Sequence, residues 1–228
     1  KPIRIAVVGR PNAGKSTLFN VLTGNLSPDR GQIVFDGTDL NKVAPYARVR
    51  MGMVRTFQKI HPFVGMSVLQ SVMVGHTASR TGLWGAMLRP RRVVVEEKHI
   101  RAAALEALGF VGLQAEADSP CDALSLGKQR HLQLACALAT QPRVLLLDEP
   151  ASGLNTAETA DLADKLVAIR EKGTTLLLVE HDMSLVMKIC EQITVLCFGR
   201  KLADGSPTAI RENPEVIKAY LGGEARDA

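Results

Sequence analysis

The chain has 228 residues, 46% of them hydrophobic and 22% charged, enough apolar material for one sizeable core or a core with an inserted subdomain, which excludes a disordered chain. Its formal charge of +5 suits an anionic partner but lies within the range of ordinary surfaces. No apolar run is long enough to span a membrane and Lys1-Pro2 leads straight into a short apolar segment, so a cytosolic chain is expected. The cysteines Cys121, Cys136, Cys190 and Cys197 form no C-x-x-C pair, so buried free thiols are expected, and the five scattered histidines make no metal pattern.

The first predicted element is a strand over Ile3, Ile5, Ala6, Val7 and Val8. It runs into Gly9-Arg-Pro-Asn-Ala-Gly14-Lys15-Ser16 and then the helix-compatible Thr17-Leu-Phe-Asn-Val-Leu22. This is G-x-x-x-x-G-K-[ST] in the strand, loop, helix context its chemistry requires. Backbone N–H groups from Gly9 through Asn12, Ala13 and Gly14 can cradle phosphates, and the helix start at Ser16 and Thr17 adds positive potential. Lys15 reaches the β/γ-phosphates, and the Ser16 hydroxyl is offered to Mg²⁺. Downstream, Gly31 to Gly37 reads as a strand entering a turn and Gly52 to Phe57 as a strand ending at Gln58, an amide placed to ligate Mg²⁺ or orient a water. Residues 59–98 carry Pro62, Gly65, Gly75, Gly82, Gly85 and Pro90, which predict short helices joined by turns, with Arg89-Pro-Arg-Arg92 as a solvated turn.

From His99 to Leu108, Ile100, Ala103, Ala104, Ala107 and Leu108 follow helical spacing, and Gly109 is placed to stop the helix. Ser125 stands as the N-cap of a long helix through Ala139, where its hydroxyl and the Gly127 amide could clasp a phosphate. Val144 to Leu147 reads as a strand covered on both faces and ends in Asp148-Glu149-Pro150. Side chains alternate along a strand, so of Asp148 and Glu149 one can face a Mg²⁺ shell and the other the water that attacks a γ-phosphate. A helix over Thr156 to Glu171 leads to a second apolar strand, Thr174 to Val179, which ends in Glu180-His181-Asp182; His181 thus lies on the edge where α/β sheets bind ligands. A last core strand is expected over Ile193 to Phe198 and a closing helix over Pro214 to Leu221.

In order and spacing, Gly9 to Ser16, Gln58, Leu124 to Arg130, Val144 to Glu149, Ala151 to Asn155 and His181 resemble the Walker A, Q-loop, signature, Walker B, D-loop and switch-histidine motifs of ABC ATPases. Arg55-Thr-Phe-Gln58, Leu146 to Asn155, Val179-Glu-His-Asp-Met183 and Glu212 to Leu221 further resemble the ATP-binding subunit of branched-chain amino acid importers. The resemblance implies a P-loop NTPase of α/β class, a RecA-like three-layer core at about 1–58 and 143–200, with a helical subdomain at about 59–142 and an extension at about 201–228. It also implies ATP and Mg²⁺ as cofactors, with Ser16, Gln58 and Asp148 around the metal and Glu149, His181 and Gln58 in catalysis. Ser125, Leu126, Gly127, Lys128 and Gln129 would close over nucleotide held by an opposing subunit. The implied partners are a second copy or a sister ATPase subunit and transmembrane permease subunits, with a solute-binding protein acting indirectly and no nucleic acid. The implied location is the inner face of the cell membrane.

Three features depart from that pattern. The family carries two strands and an adenine-stacking aromatic ahead of the phosphate loop, and the stretch before Gly9 holds neither. Val7 to Asn20 is similar to the first motif of ribosome-assembly GTPases, and Leu126, Lys128 and Asn155 replace the Gly, Gln and Asp common elsewhere. A GTPase reading lacks its base-reading motif, since Asn41-Lys-Val-Ala44 has no Asp. A nucleic-acid ABC ATPase would carry long heptad arms, and none occurs between Gln58 and Leu124.

Overall fold

The computed structural model describes residues 4–8, 14–56, 65–80 and 90–221. In chain order, β1 (Arg4–Val8) leads to α1 (Lys15–Thr23), a hairpin of β2 (Val34–Phe35) and β3 (Thr38–Asp39), α2 (Pro45–Arg50) and β4 (Met53–Arg55). Among the described residues the α-helices α3 (Val68–Arg80), α4 (Pro90–Val111) and α5 (Leu126–Leu138) follow. Then come β5 (Val144–Asp148), α6 (Thr156–Glu171), β6 (Thr175–Val179), α7 (Met183–Ile189), β7 (Gln192–Cys197), β8 (Arg200–Gly205), α8 (Pro207–Arg211) and α9 (Pro214–Leu221).

The main sheet has the order β4-β5-β6-β1-β7-β8, parallel except for β8, which returns antiparallel beside β7. Side-chain alternation sorts its residues into two cores. Val7, Leu146 and Val179 join Phe19 of α1, Leu40 and Met53 in one cluster. Their neighbours Ala6, Val8, Leu145, Leu147, Leu176 and Leu178 join Leu162, Leu166 and Ile169 of α6 with Val186 and Ile189 of α7 in the other. Helix, sheet and helix therefore form three layers. The unbroken apolar run of β5 follows from burial on both faces, each fully buried leucine contributing on the order of 2 kcal/mol. Because β5, β6 and β1 are parallel neighbours, their carboxyl ends share one edge of the sheet.

Some expectations are corrected. The strand over Gly31 to Gly37 shrinks to a two-residue arm of the β2/β3 hairpin, reversed by Asp36 and Gly37, both at positive φ. In place of short helices, α3 runs through Gly75. A Cβ there would sit 3.0 Å from the Cys136 carbonyl oxygen, so the glycine lets α3 approach α5 closely and does not mark a turn. Pro90 opens α4, a position that needs no N–H donor. Gly109 lies inside α4, and Gly112 (φ +79°) follows its end. Phe57, Gln58 and the run Arg89-Pro-Arg-Arg92, apart from the helical backbone from Pro90, lie outside the described residues.

Candidate nucleotide site

α1 starts directly behind the phosphate loop. Its N-cap, Gly14, has φ +91° and offers no side chain to the first-turn N–H groups. Lys15 is buried at 8% exposure, while Ser16 and Thr17 are exposed. Gly9, Asn12 and Ala13 lie outside the described residues.

Asp148, at the end of β5, is 6% exposed and accepts from Arg55 Nη2 at 2.6 Å. Arg55 Nη1 also donates to Asn20 Oδ1 at 2.7 Å, and its guanidinium lies over Phe19. One side chain of β4 thus ties the phosphate-loop helix to the acidic strand end. Glu149 sits in the left-handed region at φ +47°, a conformation costing on the order of 1 kcal/mol for a non-glycine residue. Its N–H donates to the Val179 carbonyl at 2.8 Å, which extends the β5/β6 ladder by one bond and holds the strained residue. Asp148 is the last residue in the β5/β6 register, whereas Glu149 turns out of the extended backbone into the left-handed region.

His181 leaves β6 next to β1, with its side chain 62% exposed. The preceding Glu180 is 1% exposed. Its carboxylate accepts from the Ala151 N–H at 3.0 Å and the His181 N–H at 3.2 Å. Burial pushes this carboxyl up, and the N–H groups of Ala151, His181 and Asp182 pull it back. Asp182 caps α7, accepting from the Ser184 and Leu185 N–H groups and the Ser184 hydroxyl, and the hydroxyl bond above all holds its pKa low.

The signature turn is built as expected at its start. Ser125 caps α5 by accepting from the Lys128 N–H at 3.4 Å, Leu126 is 48% exposed, and Gly127 is buried. Lys128 pairs with Glu116, and Gln129 turns inward to donate to the Leu124 carbonyl at 2.9 Å. The signature also packs on the loop after β5. A Cβ on Gly127 would fall 2.3 Å from Glu158 Oε1, and one on Gly153 would fall 2.9 Å from Leu126 Cδ2. Glu158 is committed there, because its side chain and N–H close a capping box with Asn155 at the start of α6. Asn155 fills that cap as an aspartate would, which explains how the chain tolerates the departure. Arg130, 9% exposed on α5, donates to the Ser152 carbonyl at 3.1 Å and draws on the charges of Glu180 and Glu149.

The fold thus brings Lys15, Ser16, Asp148, Glu149 and His181 to one sheet edge, while Ser125 to Gln129 form a separate turn on α5; Gln58 lies outside the described residues. Arg55, Arg130 and Glu180 escape sequence reasoning. For Glu180 the available signal is an acid directly after a doubly buried strand. Among the described residues no three His, Cys, Asp or Glu side chains gather around a metal position, and no helix is long and apolar enough to cross a membrane.

Comparison with known proteins agrees with this geometry. Residues 3–152 match the ABC transporter family, and residues 200–226 match the branched-chain amino acid ATP-binding cassette transporter family. The chain is 40% identical over 220 residues to the high-affinity branched-chain amino acid transport ATP-binding protein BraF of Pseudomonas aeruginosa, covering 96% of this chain and 86% of that protein. It is 41% identical over 223 residues to the corresponding LivG protein of Escherichia coli, with the same coverage. Among solved structures, the ADP conformation of MJ1267, an ATP-binding cassette of an ABC transporter, superposes with a TM-score of 0.83 at 26% identity, covering 96% of this chain and 88% of that one.

Proposed function

The chain belongs to the ABC transporter family of ATP-binding proteins, and from that premise we propose that it is the ATP-hydrolysing subunit that powers a membrane importer of branched-chain or related amino acids. The observation that carries the reading is the shared edge of β1, β6 and β5, which sets Lys15, His181 and Glu149 on one side of the sheet. Lys15 binds the β/γ-phosphates, Glu149 orients and deprotonates the attacking water, and His181 holds the γ-phosphate from the neighbouring strand. Hard oxygen donors fit Mg²⁺, which needs few protein ligands when phosphates supply the rest. Ser16 and Asp148 would hold it together with Gln58, and the ion supplies charge neutralisation between the phosphates.

Residues 59–142 act as a helical subdomain that carries the signature. In a head-to-tail pair, Ser125, Leu126, Gly127, Lys128 and Gln129 meet the γ-phosphate held by the other subunit, a second copy or a sister ATPase. The pair works on permease subunits at the inner face of the membrane, and the permease with its solute-binding protein selects the solute. Sedimentation of the Glu149→Gln variant tests this: a monomer without nucleotide and a dimer at millimolar ATP and Mg²⁺ are expected. Adding Ser125→Glu should abolish the dimer by repelling phosphate while leaving the monomer folded. A Glu149→Gln chain that stays monomeric with nucleotide bound overturns the reading.

A further inference from the structure

The Glu180 carboxylate has no role in the nucleotide contacts above, yet it is among the most deeply buried charges described, at 1% exposure. A buried carboxylate costs several kcal/mol unless its oxygens are satisfied. Here they are satisfied by the two loops that leave the catalytic edge. One oxygen takes the N–H of Ala151, two residues beyond Glu149, and the other takes the N–H of His181. The His181 ring Nδ1 lies 3.9 Å from the same second oxygen. On the far side, Arg130 of α5 faces both Glu180 and Glu149 and holds the Ser152 carbonyl, so the segment 151–152 is gripped by an anion and a cation at once.

We infer that Glu180 is a positioning residue of the ATPase reaction, its charge fixing the loop that carries Glu149 against the loop that carries His181. The inference rests on the reading of Glu149 and His181 as the hydrolytic pair. The physical reason is geometric. Glu149 is tied to β6 at a strained φ by its N–H bond to the Val179 carbonyl, and the turn after it closes through the Ser152 N–H, which donates to the Glu149 carbonyl at 3.1 Å. The bond from Glu180 to Ala151 adds a second anchor on the same strand end, and two anchors fix an orientation that one does not. Misplacement by about 1 Å at this step costs on the order of a hundredfold in rate. Burial, opposed by the three backbone N–H groups and the His181 ring, raises the Glu180 carboxyl, so its charge is lost at higher pH than that of an exposed glutamate. The charged groups acting on it are His181 of its own loop and Arg130 of α5, and Asp182 contributes only its backbone N–H.

Steady-state hydrolysis by Glu180→Gln, with Glu149→Gln as control, tests the inference. Gln keeps the shape and one acceptor but points an amide N–H₂ at a backbone N–H. The expected result is a kcat at least tenfold lower with KM for ATP within about twofold, because Lys15 and Ser16 lie on another element. The acid limb of kcat should shift to lower pH, since the variant already mimics the protonated state. Wild-type kcat overturns the inference, and so does a loss that follows the folded fraction with an unmoved pH profile. If Glu180→Gln does not fold, Glu180→Asp carries the test: it keeps the charge but shortens the reach, so kcat should fall with the acid limb retained, and a wild-type kcat again overturns it. Inactive Glu149→Gln beside normal Glu180→Gln refutes only the positioning role, whereas active Glu149→Gln refutes the hydrolytic reading itself.

Discussion

Arg55 Nη2 stands 2.6 Å from Asp148 Oδ2, with the two side chains only 11% and 7% exposed. The carboxylate expected to face Mg²⁺ is thus neutralised from behind by a cation that also grips Asn20 of the phosphate-loop helix. Removing one partner of such a pair leaves the other charged and dry, which costs about 3 kcal/mol or more. Arg55→Ala should lose that much stability in urea unfolding, and adding Asp148→Asn should restore part of it. Strict additivity of the two losses would show that the pair is not coupled.

Lys15 and Glu149 should separate binding from chemistry. In the proposed role Lys15 would offer charge to the β/γ-phosphates before and during the reaction, so Lys15→Ala should weaken ATP binding itself in equilibrium dialysis. Glu149→Gln should bind ATP near normally and turn over roughly 10²-fold more slowly or worse. Unchanged affinity in the first variant sinks the phosphate-loop role, and near-normal turnover in the second sinks the general base.

Gly127 should resist every side chain. A Cβ there meets Glu158 Oε1 at 2.3 Å, and Glu158 cannot retreat without opening the Asn155 capping box. Gly127→Ala is expected to cost about 1 kcal/mol and to lower ATPase activity through the displaced signature turn. In a Glu158→Ala background the substitution should add little further loss of stability. If Gly127→Ala is as costly there as in the parent chain, the clash is not its cause.

The local features were legible in the residues: the helix start behind Gly14, the Ser125 cap and the strand ends at Asp148 and Val179 all depend on neighbours in sequence. The parts that went unread depend on distant partners. Arg48 looks like a surface cation of a short helix, yet it is buried because carbonyls from Val21, Leu22, Leu40 and Val43 converge on it. Gly75 and Gly109 looked like helix breaks, because a sequence does not show that α5 packs against the one or that a stop comes three residues after the other. Glu180 next to an apolar strand gave no sign that Ala151 would supply its partner.

Arg48 carries the fourth prediction. At 3% exposure its guanidinium donates four bonds of 2.6 to 3.0 Å to backbone carbonyls, two of them at the end of α1. Burial lowers its pKa, but arginine keeps its proton, and the carbonyls at the negative end of the helix dipole offset the charge. Arg48→Ala strands those acceptors and should cost about 3 kcal/mol. Arg48→Lys should recover only part, since one ammonium cannot reach four carbonyls spread around a planar fork. Equal stability of the Lys variant and the parent would refute the fork argument.

Glu180 and Asp182, two residues apart, should drive stability in opposite directions with pH. Asp182 caps α7 and its pKa is held low, so the folded state binds its proton less readily than the unfolded chain does. Its contribution is therefore complete above the ordinary aspartate pKa and is lost as pH falls through the depressed folded value. Glu180 is raised by burial, so the folded state holds its proton more readily, and stability from this group declines as pH rises from the ordinary glutamate range through the raised folded value. Asp182→Asn keeps an acceptor for the cap and removes only the charge, so it should cost a few tenths of a kcal/mol at neutral pH and nothing once the parent's Asp182 is protonated. In Glu180→Gln the decline across its window should vanish, leaving a flatter curve of unfolding free energy against pH. Urea unfolding of both variants and the parent between pH 3 and 8 reads the two slopes. A parent curve that Glu180→Gln leaves unchanged in shape would mean that the buried carboxyl does not change its proton affinity on folding.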